Sequence, residues 1–278
     1  MAPFRRRRRV AASAMPRGGA DVGTLLVAGR WTAAADGTLD GAGALAAVAA
    51  APLARTQCWG RSDAGIASQV RALAAQRGLD LAGVGDAGDD DLGELAPSAA
   101  EELGVVLCAG LDARSLESAR RLLARLPPHA LMIAGADVAL LTAQAADADL
   151  IITTDAACRR AGLADPLAAA KRLQAAGARS VAITAGVYGG VLAYQGRATS
   201  WNAWPVETAV PGSLHPFAGA LAAWCAGSGR GDFSTIKRGL GVASAVGSLA
   251  AQGGIRRLFA SRRDDYLDRF NRLRRDAK

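Results

Sequence analysis

The sequence predicts an α/β fold, with a mostly parallel central sheet and helices on both faces. Three observations carry this. Apolar runs of strand length recur along the chain and alternate with segments of helical pattern. Turn and cap signals fall between them, with Gly78 closing one helix and Pro166 opening another. Alanine accounts for 66 of the 278 residues while aromatics make up only 5%, a composition that favours helices with closely approaching faces.

The elements follow in order. TLLVAG (24–29) reads as a strand, GALAAVAAAPLA (43–54) as a helix, TQCWG (56–60) as a short strand and DAGIASQVRALAAQRG (63–78) as a helix. An acidic loop leads to the strand GVVLCAG (104–110) and a helix that ends before Pro127. ALMIAG (130–135) and DLIITT (149–154) are strands separated by a helical segment from Asp137. A helix over 167–176 precedes two strands, 178–186 and 189–195, joined by a Gly-rich turn; RATSWNAWPVE continues as extended chain. Helical stretches rich in small residues cover 214–228 and 234–253. The last helix starts near Ser261, with Tyr266, Leu267, Phe270 and Leu273 on one face, its aspartates early and its arginines late, as the helix dipole favours.

Charge sharpens the picture. The net +8 is concentrated at the ends: Arg5–Arg9 carry +5 and residues 255–278 another +5, leaving the body at −2. The arginine run has no interleaved aromatics for base stacking, so nucleic acid is a poor partner, and residues 1–20 read as a disordered basic tail ahead of a single domain over 21–278. Gly78–Ala113 holds nine acidic residues and no basic ones. The longest uncharged run, Thr208–Gly229, contains two prolines and four glycines, which argues against a membrane span. No apolar stretch of signal-peptide length follows the basic start, and the scattered Cys58, Cys108, Cys158 and Cys225 read as buried free thiols; both point to the cytoplasm. With no CxxC, two histidines cannot complete a usual zinc site, and no metal-ligating residue is assigned. Neither GxGxxG after the first strand nor GxxxxGK[ST] occurs, so Rossmann dehydrogenases and P-loop NTPases lack their main signals.

In a sheet of this kind ligands bind beyond the carboxyl ends of the strands. The order of motifs there is specific. The segment from Ala148 to Glu207, followed by AVPGSLHPFAGALAAWCAG and TIKRGLGVASAVGSLAAQGG, resembles the PfkB carbohydrate kinases, a ribokinase-like family, with a looser likeness over the N-terminal half. The resemblance implies a three-layer ribokinase-like fold and ATP-dependent phosphorylation of an alcohol hydroxyl on a sugar or nucleoside, with ATP and Mg²⁺ taking part. It also allows a homodimer. The insert from Gly85 to Glu102 is short for the family's lid and poor in strand formers, so the lid is expected to be reduced or missing.

The family's signature places backbone N–H groups at a helix start, where they hold the transferred phosphoryl group, and an Asp beside the acceptor hydroxyl as base. Gly212 matches its first glycine and Ser213 the next position; Leu214 stands for the second glycine, and His215 for the Asp. The Asn-x-x-Glu motif becomes Thr153-Thr154-Asp155-Ala156, with Asp155 one residue out of register. Gly186 and Gly189 match the Gly-x-x-Gly turn near the nucleotide phosphates, though a tight strand-to-strand turn needs the same glycines. On the substrate side the resemblance points to Asp36, out of register with Ala34, and to Gly41 of the glycine pair. Two readings stay open for His215: a replacement base, or a helix-start residue left after the Asp role was lost. The motif losses run in one direction, so the expected outcome is a degenerate kinase-like protein retained for binding or regulation; the alternative is an active kinase that uses His215.

Overall fold

The computed structural model describes residues 23–33, 39–62, 71–72, 74–86, 103–124, 126, 129–186, 189–203, 213–228 and 232–276. The tail over 1–20, most of the 85–102 segment, Asp36 and Gly212 lie outside the described residues.

The strands are β1 (Thr24–Ala33), β2 (Leu39–Asp40), β3 (Thr56–Ser62), β4 (Asp80–Asp86), β5 (Leu103–Ala109), β6 (Ala130–Ala134), β7 (Leu150–Thr154), β8 (Ser180–Thr184), β9 (Gly190–Tyr194) and β10 (Arg197–Trp201). The described helices are α1 (Ala42–Ala50), α2 (Ala113–Leu123), α3 (Val138–Gln144), α4 (Asp155–Arg160), α5 (Pro166–Ala175), α6 (Leu214–Ser228), α7 (Phe233–Ala260) and α8 (Arg263–Asp276). All the described strands join one sheet in the order β10-β9-β8-β7-β6-β5-β1-β3-β4, with β2 paired to β1. The stretch from β8 to β4 is parallel; β9 and β10 are antiparallel additions at one edge. The carboxyl ends of seven parallel strands therefore share one rim of the sheet.

The central strands are buried on both faces, which is why they read as continuous apolar runs. Leu25, Val27, Trp31, Val105 and Leu107 join α1, α6 and α7 in one core. Leu26, Ala28, Val106 and Cys108 face the opposite way, onto Leu116, Ala119 and Leu123 of α2, Leu141 of α3 and Leu173 of α5. This makes three layers. The outer helices carry the expected start signals. Asp112 accepts from Ser115 N–H at 2.7 Å at the head of α2, and Asp165 accepts from Leu167 and Ala168 N–H ahead of Pro166. The alanine content has a direct use: α1 is buried over Ala46–Ala50 and packs between β1 and α6 with almost no side-chain bulk.

The structure extends the sequence reading in three places. β1 runs four residues past Gly29 and turns back as β2, a short hairpin standing above the rim. Asp80–Asp86 is a strand within the stretch read as an acidic loop; it lies at the sheet edge, where pairing with β3 alone suffices and no apolar run is needed. Helix α7 continues to Ala260, but Gly253 and Gly254 leave helical geometry, Gly254 at φ 59° and ψ −157°, so its last turn changes direction. None of the described helices is long and apolar enough to cross a membrane.

Candidate functional site

Three chain segments converge at the rim between β1 and β5. Gly41 precedes α1, Gly110 follows β5, and α6 begins at Leu214. Gly41 adopts φ 91°, and a β-carbon there would stand 2.6 Å from the Arg30 carbonyl oxygen, so only glycine lets the chain leave the β1–β2 hairpin and enter α1. Gly110 adopts φ 60°, and its N–H donates to the Ala134 carbonyl at 2.8 Å. A β-carbon at Gly110 would meet Ala42 Cβ at 2.5 Å and His215 Cε1 at 3.2 Å. The imidazole of His215 thus lies in van der Waals reach of the turn after β5, beside the N-terminus of α1.

His215 sits in the first turn of α6. Phe217 N–H donates to the Ser213 carbonyl at 3.1 Å, which makes Ser213 the residue that opens the helix. The N–H groups of Leu214 and His215 are among the first-turn donors that an α-helix leaves without partners inside itself. Pro216 contributes none, and proline is well tolerated in a first turn. The bulk of Leu214 does not block this end: its side chain is buried in the core with Phe217. His215 Nδ1 is buried and makes no hydrogen bond. Burial pushes the imidazole pKa down to about 4, so the ring is neutral at neutral pH.

The second cluster of motif residues lies farther along the rim. β6 and β7 separate β8 from β5, roughly 14 Å at the usual strand spacing. Gly189 N–H donates to the Gly186 carbonyl at 3.3 Å, and Ala185 N–H donates to the Gly189 carbonyl at 2.8 Å, so the turn closes on itself. Gly189 also presses against the Trp201 carbonyl, while the space beside Gly186 is open. At the end of β7, Thr154 caps α4 by accepting from Ala157 N–H at 3.1 Å. Asp155 forms an ion pair with Arg159 one helical turn on, and its second oxygen is buried. The carboxyl end of β7 thus offers a single carboxylate already paired with Arg159, and the described residues hold no group of three or more His, Cys, Asp or Glu side chains set to cage a metal.

The remaining candidates resolve simply. All four cysteines are buried and free; burial pushes Cys108 and Cys225 up to about 12, far from nucleophilic range. Trp31, Trp59 and Trp201 are buried, and Trp201 Nε1 donates to Ser244 Oγ at 3.1 Å while its ring stacks on Phe217. Sequence reasoning missed Gly110; its signal was a glycine directly after the apolar run of β5.

The fold as a whole has counterparts among solved structures. A fructokinase double mutant from Vibrio cholerae, bound to fructose, ADP and potassium ion, superposes with a TM-score of 0.72 at 13% identity, covering 91% of this chain and 100% of that one. The chain has the ribokinase-like fold. Aminoimidazole riboside kinase from Salmonella enterica, complexed with aminoimidazole riboside and an ATP analog, gives a TM-score of 0.68 at 16% identity over 89% of this chain and 99% of that one. Ribokinase from Giardia lamblia gives 0.68 at 12% identity over 90% and 99%. No family model matches the sequence, and no curated protein matches it. Within a ribokinase-like fold, the convergence of Gly41, Gly110 and His215 falls at the carboxyl rim, where α/β sheets bind ligands.

Proposed function

We propose that this chain is a PfkB-type sugar or nucleoside kinase-like protein, a single domain over 21–278. It binds a small hydroxylated ligand at the β1–β5 rim and has lost most of its phosphoryl-transfer activity. The observation that carries the reading is His215 at the start of α6, half-buried, neutral and, among the described residues, without a carboxylate partner.

A carboxylate in this place would take the proton of an acceptor hydroxyl and end neutral. A neutral imidazole that takes the same proton ends as a cation in a site whose burial already disfavours that charge. Its basicity, with a pKa near that of an ordinary carboxyl group, is not the defect; the missing negative charge beside the hydroxyl is. The first-turn N–H groups of Leu214 and His215, with Ser213 at the helix start and Gly212 before it, would face an anionic group at this helix end. The hydroxylated ligand lies beside the Gly41 turn into α1, on the side to which Asp36 also belongs in the sequence. Gly186 and Gly189 border the nucleotide phosphates from the β8–β9 turn. ATP arrives as substrate; no step is assigned to a metal held by this chain. The neighbours crystallised with ADP, fructose, riboside and ATP analog support the ligand class.

The test is calorimetric titration of the full chain with ATP, with and without Mg²⁺, followed by a panel of sugars and nucleosides. Saturable ATP binding that depends little on Mg²⁺ is expected. Absence of binding to ATP and to every member of the panel would overturn the proposal.

A further inference from the structure

The last turn of α7, the link to α8 and α8 itself border an open cleft of about 360 Å³ that the proposed function does not use. Three guanidinium groups line it: Arg257 from α7, and Arg269 and Arg272 one turn apart on α8. The break at Gly253–Gly254 precedes Arg257 by less than one helical turn, and its left-handed Gly254 is what redirects the chain toward α8. Arg269 is half-buried and anchored, donating from Nη2 to Gln252 Oε1 at 2.8 Å. Burial first, then the like charges of Arg257 and Arg272, hold its pKa below the ordinary guanidinium range. The cleft also contains two carboxylates. Asp265 is occupied as a cap, accepting from Arg262 N–H at 2.7 Å. Asp268 remains on the wall, so positive charge is in excess.

Three arginines against two aspartates leave one net positive charge on this wall, and the planar forks of guanidinium groups match phosphate oxygens. The cleft volume falls within the range of small-molecule sites. We propose that this cleft binds a small phosphate-bearing anion, such as a pyrophosphate or phosphomonoester, held by Arg257, Arg269 and Arg272. The site is separate from the β1–β5 rim and does not depend on the function proposed for it. It is nonetheless connected to it through α7: Gly247, two residues before the cleft-lining Leu249, faces the Ser213 carbonyl at the start of α6.

The experiment is isothermal titration of the full chain with inorganic pyrophosphate, compared with the double variant Arg257→Gln/Arg272→Gln. Both positions are solvent-exposed, so the variant is expected to fold, and its thermal melt in phosphate-free buffer verifies this. The expected result is saturable one-to-one binding by the parent chain, weakened about tenfold or more in the variant. No saturable binding by the parent chain, or a smaller loss in the variant, overturns the proposal; the second outcome would place the anion elsewhere, including the rim.

Discussion

Along α6, residues 218–223 are fully buried against α1, α7 and the sheet, whereas the first turn meets the carboxyl rim with a partly exposed imidazole that lacks a hydrogen-bond partner at Nδ1. The body of the helix is specified by contact: Gly219 rests on the Ala46 carbonyl of α1, with no space for a side chain between them. The first turn has no such packing across it: His215 is half-buried and stands beside Gly110 at the end of β5. The packing residues 218–223 and the rim residue His215 occupy separate stretches of one helix, so each set can be altered without the other.

Substitutions at the two ends of α6 separate these demands. The largest effect is expected in the body. Gly219→Leu drives a side chain into the α1 backbone and should destabilise the protein by about 3 kcal/mol or more, read as a lower denaturation midpoint in urea. At the other end, His215 makes stability depend on pH. Its folded pKa of about 4 lies below its ordinary value of 6.5, so the unfolded chain binds the proton more readily. Stability from this group is therefore complete above about pH 6.5 and is lost as pH falls toward 4, by about 2–3 kcal/mol. Urea midpoints at pH 7 and pH 4.5 for the parent chain and His215→Gln should show the extra acid loss in the parent alone. Gly110→Ala tests the junction that holds the imidazole. Its positive φ and the crowding by Ala42 and His215 should cost about 2 kcal/mol, measured the same way. The smallest effect should come from Trp201→Phe, which keeps the stack on Phe217 and removes the hydrogen bond to Ser244, lowering stability by about 1 kcal/mol.

The same division explains what was legible in the sequence. β1, β5, β7 and β8 are buried on both faces, so each had to be written as an uninterrupted apolar run. β4 was illegible because an edge strand pairing only with β3 tolerates Asp80, Gly83, Gly85 and Asp86. The start of α6 could be read to the residue, since the helix follows Ser213 and runs to Ser228. Gly110 showed only as a glycine after an apolar run; its contacts could not be read, because Ala42 and His215 are 68 and 105 positions away in the chain and only the fold brings them to it. Leu214 takes the place of a motif glycine, yet its side chain turns into the core, a direction set by α6 packing and not by its place in a motif.

The central claim is that the first turn of α6 no longer supports efficient phosphoryl transfer, and ADP release tests it most directly. The purified chain is incubated with Mg-ATP and a panel of sugars and nucleosides, beside His215→Ala and the double variant Leu214→Gly/His215→Asp. The account predicts turnover far below the roughly 1–100 s⁻¹ of ordinary kinases, unchanged by His215→Ala and raised by restoring the glycine and carboxylate. Turnover within that kinase range, abolished by His215→Ala, would contradict it and make His215 a working base.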